Sequence, residues 1–301
     1  MSTTKSAQAW AEFDRLVAAE GPNPWATEHA SRRFQADLQL LEVLLAVPLR
    51  LGLKTQSGIP AKAVDVWLAR ELRRAGFGAD EVWPRAAAPR VLPREVSLLL
   101  GKLPPGLRSA VHSRIDRGLA GPAVSADAYV LGKAYRKQVD VVISQWARGP
   151  ELLISTKRMD SSLANNAFNR IEESYGDAHN LRGRHPLAAI GYVLVLRDTA
   201  LEESRSAAER LIDLVAKMAG DDAGYDATAV VVAGWDDTAE DPQVQFKAHL
   251  VPEDLRIGAF VETMVRTVLD RTPVDAHVMV RERLQGAALP VQEDEGGIES
   301  S

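Results

Sequence analysis

The stretch 139–184, VDVVISQWARGPELLISTKRMDSSLANNAFNRIEESYGDAHNLRGR, constrains the fold more than any other part of this chain. Two apolar, β-branched runs, 139–144 and 151–154, flank an Arg-Gly-Pro turn, and this pattern predicts a strand hairpin. The second run ends in Ser155-Thr156-Lys157, and the residues after it predict a helix carrying Arg170, Glu172 and Glu173. Further on, 187–196 is a buried strand with Gly191 inside it, 202–219 an amphipathic helix and 227–234 (ATAVVVAG) a second buried strand. An edge strand follows at 244–250. A last helix over 252–270 sets Ile257, Phe260, Met264 and Val268 on one face. Continuous apolar strands alternating with helices predict an α/β (α+β) fold, in which a mixed central sheet is covered by helices on both faces.

The hairpin also brings Asp140 toward Lys157, and phosphodiester cleavage requires that meeting. Mg2+ prefers oxygen ligands and keeps several of its waters, which suits a carboxylate. A cation near the attacking water and the phosphoryl oxygens stabilises the charge that develops there. In the helix, Ala164, Phe168, Ile171 and Tyr175 fall in one stripe at about 100° per residue. That phase places Glu172 roughly 80° from the centre of the stripe, at the rim of the packed face, with Glu173 toward water.

Asp140, Ser155-x-Lys157 and Arg170-x-Glu172 together resemble the PD-(D/E)xK nuclease superfamily. They are most similar to type II restriction endonucleases in which Ser replaces the acidic residue of the (D/E)xK triplet and a helix glutamate takes over its role. The resemblance implies a restriction-endonuclease-like sheet, with Asp140 and Glu172 binding Mg2+. Lys157 would position or activate the water, and Ser155 would occupy the vacated acid position. Gly183-Arg184-His185-Pro186 and the strand after it are similar to the segment that follows the helix in that group. The likeness covers about a third of the chain. Val139 stands where the family name has Pro, and the arginine-rich base-reading segment of enzymes cutting CCGG sites is here Arg158-Met159-Asp160-Ser161-Ser162-Leu163-Ala164-Asn165-Asn166.

Of 301 residues, 46% are apolar, ample for a buried core. The absence of cysteine excludes disulfides, thiolate nucleophiles and Cys-ligated zinc, and agrees with a reducing cytoplasm. The start, MSTTKSAQAW, has no apolar signal core, and no run reaches the length of a membrane span, so a cytoplasmic protein without a membrane partner is expected. The net charge of −5 opposes DNA binding at first sight. Residues 101–184, however, hold thirteen Lys and Arg against eight Asp and Glu, so the centre is basic.

Residues 1–120 read as a mostly helical N-terminal region for DNA binding or dimerisation, 121–290 as the catalytic core and 291–301 as a disordered acidic tail. Helices are expected over 10–19, 27–51 (stopped or kinked by Pro48), 61–75, 94–100 and 107–119, with a loop at 86–94 and a connector at 121–138. Glu71 on the third helix is read as a surface partner of Arg74, although nucleases of this superfamily often carry an acidic residue on a helix near the site. Arg108, Arg114 and Arg117 either follow phosphates or solvate a helix.

Lys133, Arg136 and Lys137, just before Asp140, are either phosphate contacts or a charged strand edge. Asn165, Asn166 and Asn169 can read adenine in the major groove, or belong to a helix start capped by Ser161 or Ser162. With Arg158, Arg170, Arg182 and Arg184 these form the expected DNA-binding set. His179 and His185 lack a third ligand at zinc spacing and are loop histidines. The expectation is a Mg2+-dependent type II restriction endonuclease on double-stranded DNA, as a homodimer or higher homo-oligomer. Its rivals are a repair or phage-defence nuclease without a short fixed target, and a DNA-binding protein without catalysis.

Overall fold

In the computed structural model, residues 4–29, 31–116, 127–160, 163–220 and 224–287 are described. Helix α1 (Lys5–Val17) is capped by the Thr4 hydroxyl, which accepts the Ala7 N–H. Where the sequence predicts the start of a long helix, an antiparallel hairpin forms instead, β1 (Trp25–Glu28) with β2 (Ser31–Phe34). Trp25 and Phe34 meet edge to face at 5.2 Å on its buried side, and the helix starts only where Asp37 caps Leu40. That helix, α2 (Leu38–Arg50), takes Pro48 into its last turn and ends two residues later. Helix α3 (Ile59–Ala75) starts on Pro60 and closes at Gly76. Gly76 has φ +116°, and a Cβ there would press on the backbone of residues 279–280 at 3.1 Å, so both conformation and space require glycine.

A two-residue strand, β3 (Val82–Trp83), was hidden before the expected loop. It precedes α4 (Arg94–Lys102) and α5 (Pro105–Asp116). The expected connector is partly a hairpin, β4 (Ala128–Leu131) with β5 (Arg136–Val139). Then come β6 (Val141–Gln145), β7 (Gly149–Met159), α6 (Leu163–Arg182) and β8 (Ala189–Arg197). The helical segment after β8 breaks at Ser204 into α7 (Asp198–Glu203) and α8 (Arg205–Lys217). The chain closes with β9 (Ala227–Gly234), β10 (Gln245–Phe246), α9 (Ile257–Asp270) and α10 (Val278–Gln285). The expected acidic tail lies outside the described residues.

Six strands form one mixed sheet in the order β10-β9-β8-β7-β6-β3. β7, β8 and β9 are parallel, while β6, β3 and β10 pair antiparallel. Parallel neighbours require crossovers, which α6 and α7–α8 supply on one face of the sheet. Alternation along β7 divides the core. Leu152 and Ile154 face a cluster running from Ala9 on α1 through α2, α3 and α9 to Val280 on α10, whereas Leu153 faces α6 and α8. At Gly191, mid-strand in β8, a Cβ would lie 2.7 Å from the Phe260 ring, so glycine lets α9 approach the sheet.

One carboxylate ties the far end of the sheet together. Asp226 accepts hydrogen bonds from Arg182 at the end of α6 (2.6 Å), Arg271 after α9 (2.5 Å) and the Ile190 N–H of β8 (2.7 Å).

Candidate functional site

Asp140 occupies the bend where the chain leaves the β4–β5 hairpin and enters the central sheet. Its N–H donates to the Ile154 carbonyl (3.1 Å), and its Oδ2 accepts the Thr156 N–H (2.9 Å). The predicted hairpin forms, and its register sets Val141 opposite Ile154, hence Asp140 beside Ser155. Lys157 is two positions further along, about 7 Å at strand rise.

Helix α3 completes the surroundings of Asp140. Asp65 is wholly buried and its Oδ1 accepts the Thr156 hydroxyl at 2.6 Å. One turn earlier, Lys62 places its Nζ 3.1 Å from Asp65, 3.5 Å from Asp127 and 3.8 Å from Asp140. Three carboxylates from three segments thus surround one ammonium. Burial pushes Asp65 up to about 6, and the neighbouring Asp140 charge adds to the rise, while Lys62 and the Thr156 hydroxyl oppose it. For Lys62 burial disfavours the charge, but Asp65, Asp140 and Asp127 more than reverse that and hold its pKa above the ordinary lysine value. Trp10 and Trp83 wall a narrow crevice that opens onto Lys62, Asp127 and Asp140.

Alternation separates the residues of the Ser-Thr-Lys triplet. Thr156 and Arg158 share the α3 side with Ile154, whereas buried Ser155 and half-buried Lys157 share the α6 side with Leu153. Asp140 is therefore brought together with Lys62, Asp65 and Thr156 on the α3 side. The Lys157 side chain has no hydrogen bond or ion pair among the described residues.

The phase of α6 differs from the expected one. Phe168 and Tyr175 are 45% and 43% exposed, and the buried stripe is Ile171, Ser174, Ala178 and Leu181 with Asp177 and Asn180 beside it. That turns Glu172 to roughly 140° from the stripe's centre and Glu173 to roughly 120°. Glu172 is exposed rather than at the rim, and Glu173 is the one facing a partner strand, 4.0 Å from Lys137. Polar residues produce the shift. Asn180 accepts the N–H groups of Ala134 and Tyr135, and Asp177 accepts the Tyr135 hydroxyl and pairs with Lys137. With Ser174, Asp177 and Asn180 set among Ile171, Ala178 and Leu181, the buried face is only partly hydrophobic and its phase is hard to read from the sequence.

The expected DNA contacts divide into committed and free groups. Lys137 is taken by Asp177, and Arg182 by Asp226. Arg158 has its side chain 4% exposed, donates to Asp160 and the Pro60 carbonyl, and lies over the Trp235 ring at 5.1 Å, so it fastens β7 to α3 and β9. Arg170 pairs with Glu173 at the surface. Lys133, Arg136, Asn169 and Arg184 are exposed, with Arg136 stacked over Tyr129. The side chains of Asn165 and Asn166, and the capping residues Ser161 and Ser162, lie outside the described residues. Arg108 is committed to the carbonyls of Leu100, Gly101 and Leu103. His185 bonds the Leu131 carbonyl, as a loop histidine would.

Glu71 does pair with Arg74, but in the interior, where it also binds Arg70 and accepts the Asp37 N–H. Burial raises its pKa despite those arginines. The α3 acid that reaches the site is Asp65, six residues earlier, with Lys62 one turn before it. Their only mark in the sequence is Lys-x-x-Asp spacing, which many solvated helices share.

No protein-family model, curated protein or solved structure matches this chain. The likeness to a nuclease superfamily rests on its own residues.

Proposed function

We propose that this chain is a Mg2+-dependent endodeoxyribonuclease of the PD-(D/E)xK kind on double-stranded DNA, a type II restriction endonuclease working as a homodimer or higher homo-oligomer in the cytoplasm. The observation that carries the reading is the convergence of Asp140, Asp65 and Asp127 at the strand end that also bears Lys157. A mixed six-stranded sheet with the Asp140 bend beside its central hairpin agrees with a restriction-endonuclease-like core.

The donor set fits a hard divalent cation in kind and charge. All the ligand atoms are carboxylate oxygens, one ammonium balances one of up to three negative charges, and the buried Oδ2 of Asp65 faces that ammonium alone, at 3.1 Å. In distance it does not yet fit. Among the described residues no three acidic or histidine side chains are gathered closely enough to hold a metal, because Lys62 stands between them. Asp140 and Asp65 would hold the ion with Asp127 outside them, Asp65 taking the place that the family resemblance gives to Glu172. When bound, Mg2+ would acidify a water and neutralise charge on the phosphoryl oxygens. The Thr156 N–H orients Asp140, the Thr156 hydroxyl orients Asp65, and the cation beside them is Lys62, since Lys157 projects from the other face of β7. Lys133 and Arg184 supply backbone contacts that position DNA without reading it.

Digestion of a long, unmethylated DNA with Mg2+ or EDTA tests this, with Asp140→Asn beside the wild type. Discrete bands that need Mg2+ and vanish in the variant are expected. A Mg2+-dependent smear would indicate a repair or phage-defence nuclease. DNA left intact by every divalent metal would refute catalysis and favour a binding protein whose metal seat Lys62 fills permanently.

A further inference from the structure

The β4–β5 hairpin stands apart from the six-stranded sheet as a two-stranded ribbon. Its pairing turns Ala128, Val130, Lys137 and Val139 inward, where the three apolar residues join the core against α6 and Lys137 meets Asp177. Tyr129, Leu131, Arg136 and Gln138 alternate to the outer side. There Tyr129 is 50% and Leu131 51% exposed, and the Arg136 guanidinium lies over the Tyr129 ring at 4.7 Å, with no ion pair among the described residues. The turn is held from behind. Buried Asn180 accepts the N–H groups of Ala134 (2.8 Å) and Tyr135 (3.2 Å), donates to the Tyr135 carbonyl (3.0 Å) and takes the Lys133 N–H on its own carbonyl (2.8 Å). A Cβ at Gly132 would lie 2.2 Å from the Asn180 amide, so that contact requires glycine. A ribbon fixed in this way presents its outer side chains already ordered, which lowers the cost of binding.

Charge identifies what covers that face. Residues 128–139 carry Lys133, Arg136 and Lys137 and no acid, although the whole chain has a net charge of −5. Asp177 neutralises Lys137, which leaves Lys133 and Arg136 exposed, with Lys133 packed on Gly183 beside exposed Arg184. A polyanion complements such a face. A two-stranded ribbon also fits a major groove about 12 Å wide. Stacking on a ring fixes the guanidinium plane and leaves its N–H edge free, the form in which arginine pairs with guanine O6 and N7. The ribbon ends at Val139, so Asp140 stands at its foot, about 13 Å of extended chain from Arg136.

We infer that the outer face of the β4–β5 ribbon reads double-stranded DNA in the major groove, Arg136 recognising a guanine about four base pairs from Asp140 and Tyr129 positioning the guanidinium. This rests on the DNA-binding part of the reading proposed above and needs no cleavage.

Selection of bound duplexes from a random-sequence pool by the full chain tests this, with Ca2+ in place of Mg2+ to hold back cutting. The enriched duplex is sequenced and titrated by fluorescence anisotropy. Wild type should enrich a motif with a guanine that Arg136→Ala no longer requires, and Arg136→Ala should bind the wild-type duplex about tenfold more weakly. Tyr129→Ala should relax the same position, and Tyr129→Phe, which keeps the ring, should restore it. Lys133→Ala should weaken all duplexes alike and keep the motif. Thermal melts confirm folding, and Arg136→Gln serves if the alanine variant does not fold. If Arg136→Ala selects the wild-type motif, base reading by the ribbon is overturned while the DNA-binding reading stands. Duplexes retained by wild type without any motif, or single strands held more tightly than duplexes, overturn it too. If wild type retains no duplex, the DNA reading itself fails and the inference fails with it.

Discussion

Replacing Asp226 by Asn should cost this protein about 3 kcal/mol, because removing one partner of a buried ion pair leaves the other charge uncompensated. The structure sets the figure at the low end of the usual 3–5 kcal/mol (roughly) for such losses. Asp226 is 12% exposed and Arg182 13%, but Arg271 is 30% exposed and can rehydrate once its carboxylate is gone. With its oxygen at the Oδ2 position the Asn side chain keeps an acceptor for the Ile190 N–H and Arg182 but turns its NH2 donors toward the Arg271 guanidinium, and the negative charge that both arginines faced is gone. For a chain of this size the melting temperature should fall by about 5 °C. The pH dependence has a definite sign. Burial raises the Asp226 pKa, but hydrogen bonds from Arg271 and Arg182 outweigh it and leave the group below its ordinary value. Its stabilisation is therefore complete above the unfolded pKa of about 3.9 and is lost as pH falls through the lower folded value. Urea unfolding of both proteins should show a constant gap from pH 8 to pH 5 that narrows only below about pH 4. A gap under about 1 kcal/mol at pH 7 would refute the reasoning, since it would put the loss in the range of an exposed pair.

Four further outcomes are expected. Asp65→Asn should lower Mg2+-dependent cleavage by about a hundredfold or more while DNA retention on a filter persists, and near-normal cutting would remove Asp65 from the site. Glu172→Ala should cut like wild type in the same assay, and loss of cutting would return the metal to the helix glutamate. Arg182→Met should lower the melting temperature and leave the salt dependence of DNA affinity unchanged. Arg184→Ala and Lys133→Ala should each reduce the slope of log affinity against log salt by about one, without changing the melt. The opposite pattern would mean that the Asp226 pairing yields to phosphate.

The central sheet was legible because its strands are apolar throughout. The 227–234 strand matched residue for residue, and the hairpin around the Arg-Gly-Pro turn formed with Asp140 beside the Ser-Thr-Lys end. Edges and entries were harder. β3 is two residues long and has no period to show. The β1–β2 hairpin was absorbed into a helix because Phe34, Leu38, Leu41 and Leu45 keep helical spacing across a boundary that only the Asp37 cap marks. Local spacing cannot see that Trp25, nine residues upstream, pairs with Phe34.

The site divides along the same physical line. Asp140 and Thr156 belong to one hairpin, so a sequence pattern reaches both, while Lys62 and Asp65 arrive from a helix 91 residues before Thr156 through packing alone. The same α3 burial that hides Asp65 from the sequence also makes it consequential. A carboxylate with room to turn would find water, but this one is held by Thr156 on one oxygen and faces only an ammonium with the other. Moving the glutamate of α6 toward Asp140 would require turning a helix anchored by Asn180, Asp177 and the Ser174 carbonyl, which accepts the Tyr225 hydroxyl, and these hydrogen bonds fix its phase. Asp65, and not Glu172, is therefore the carboxylate that the packing of α3 sets beside Asp140.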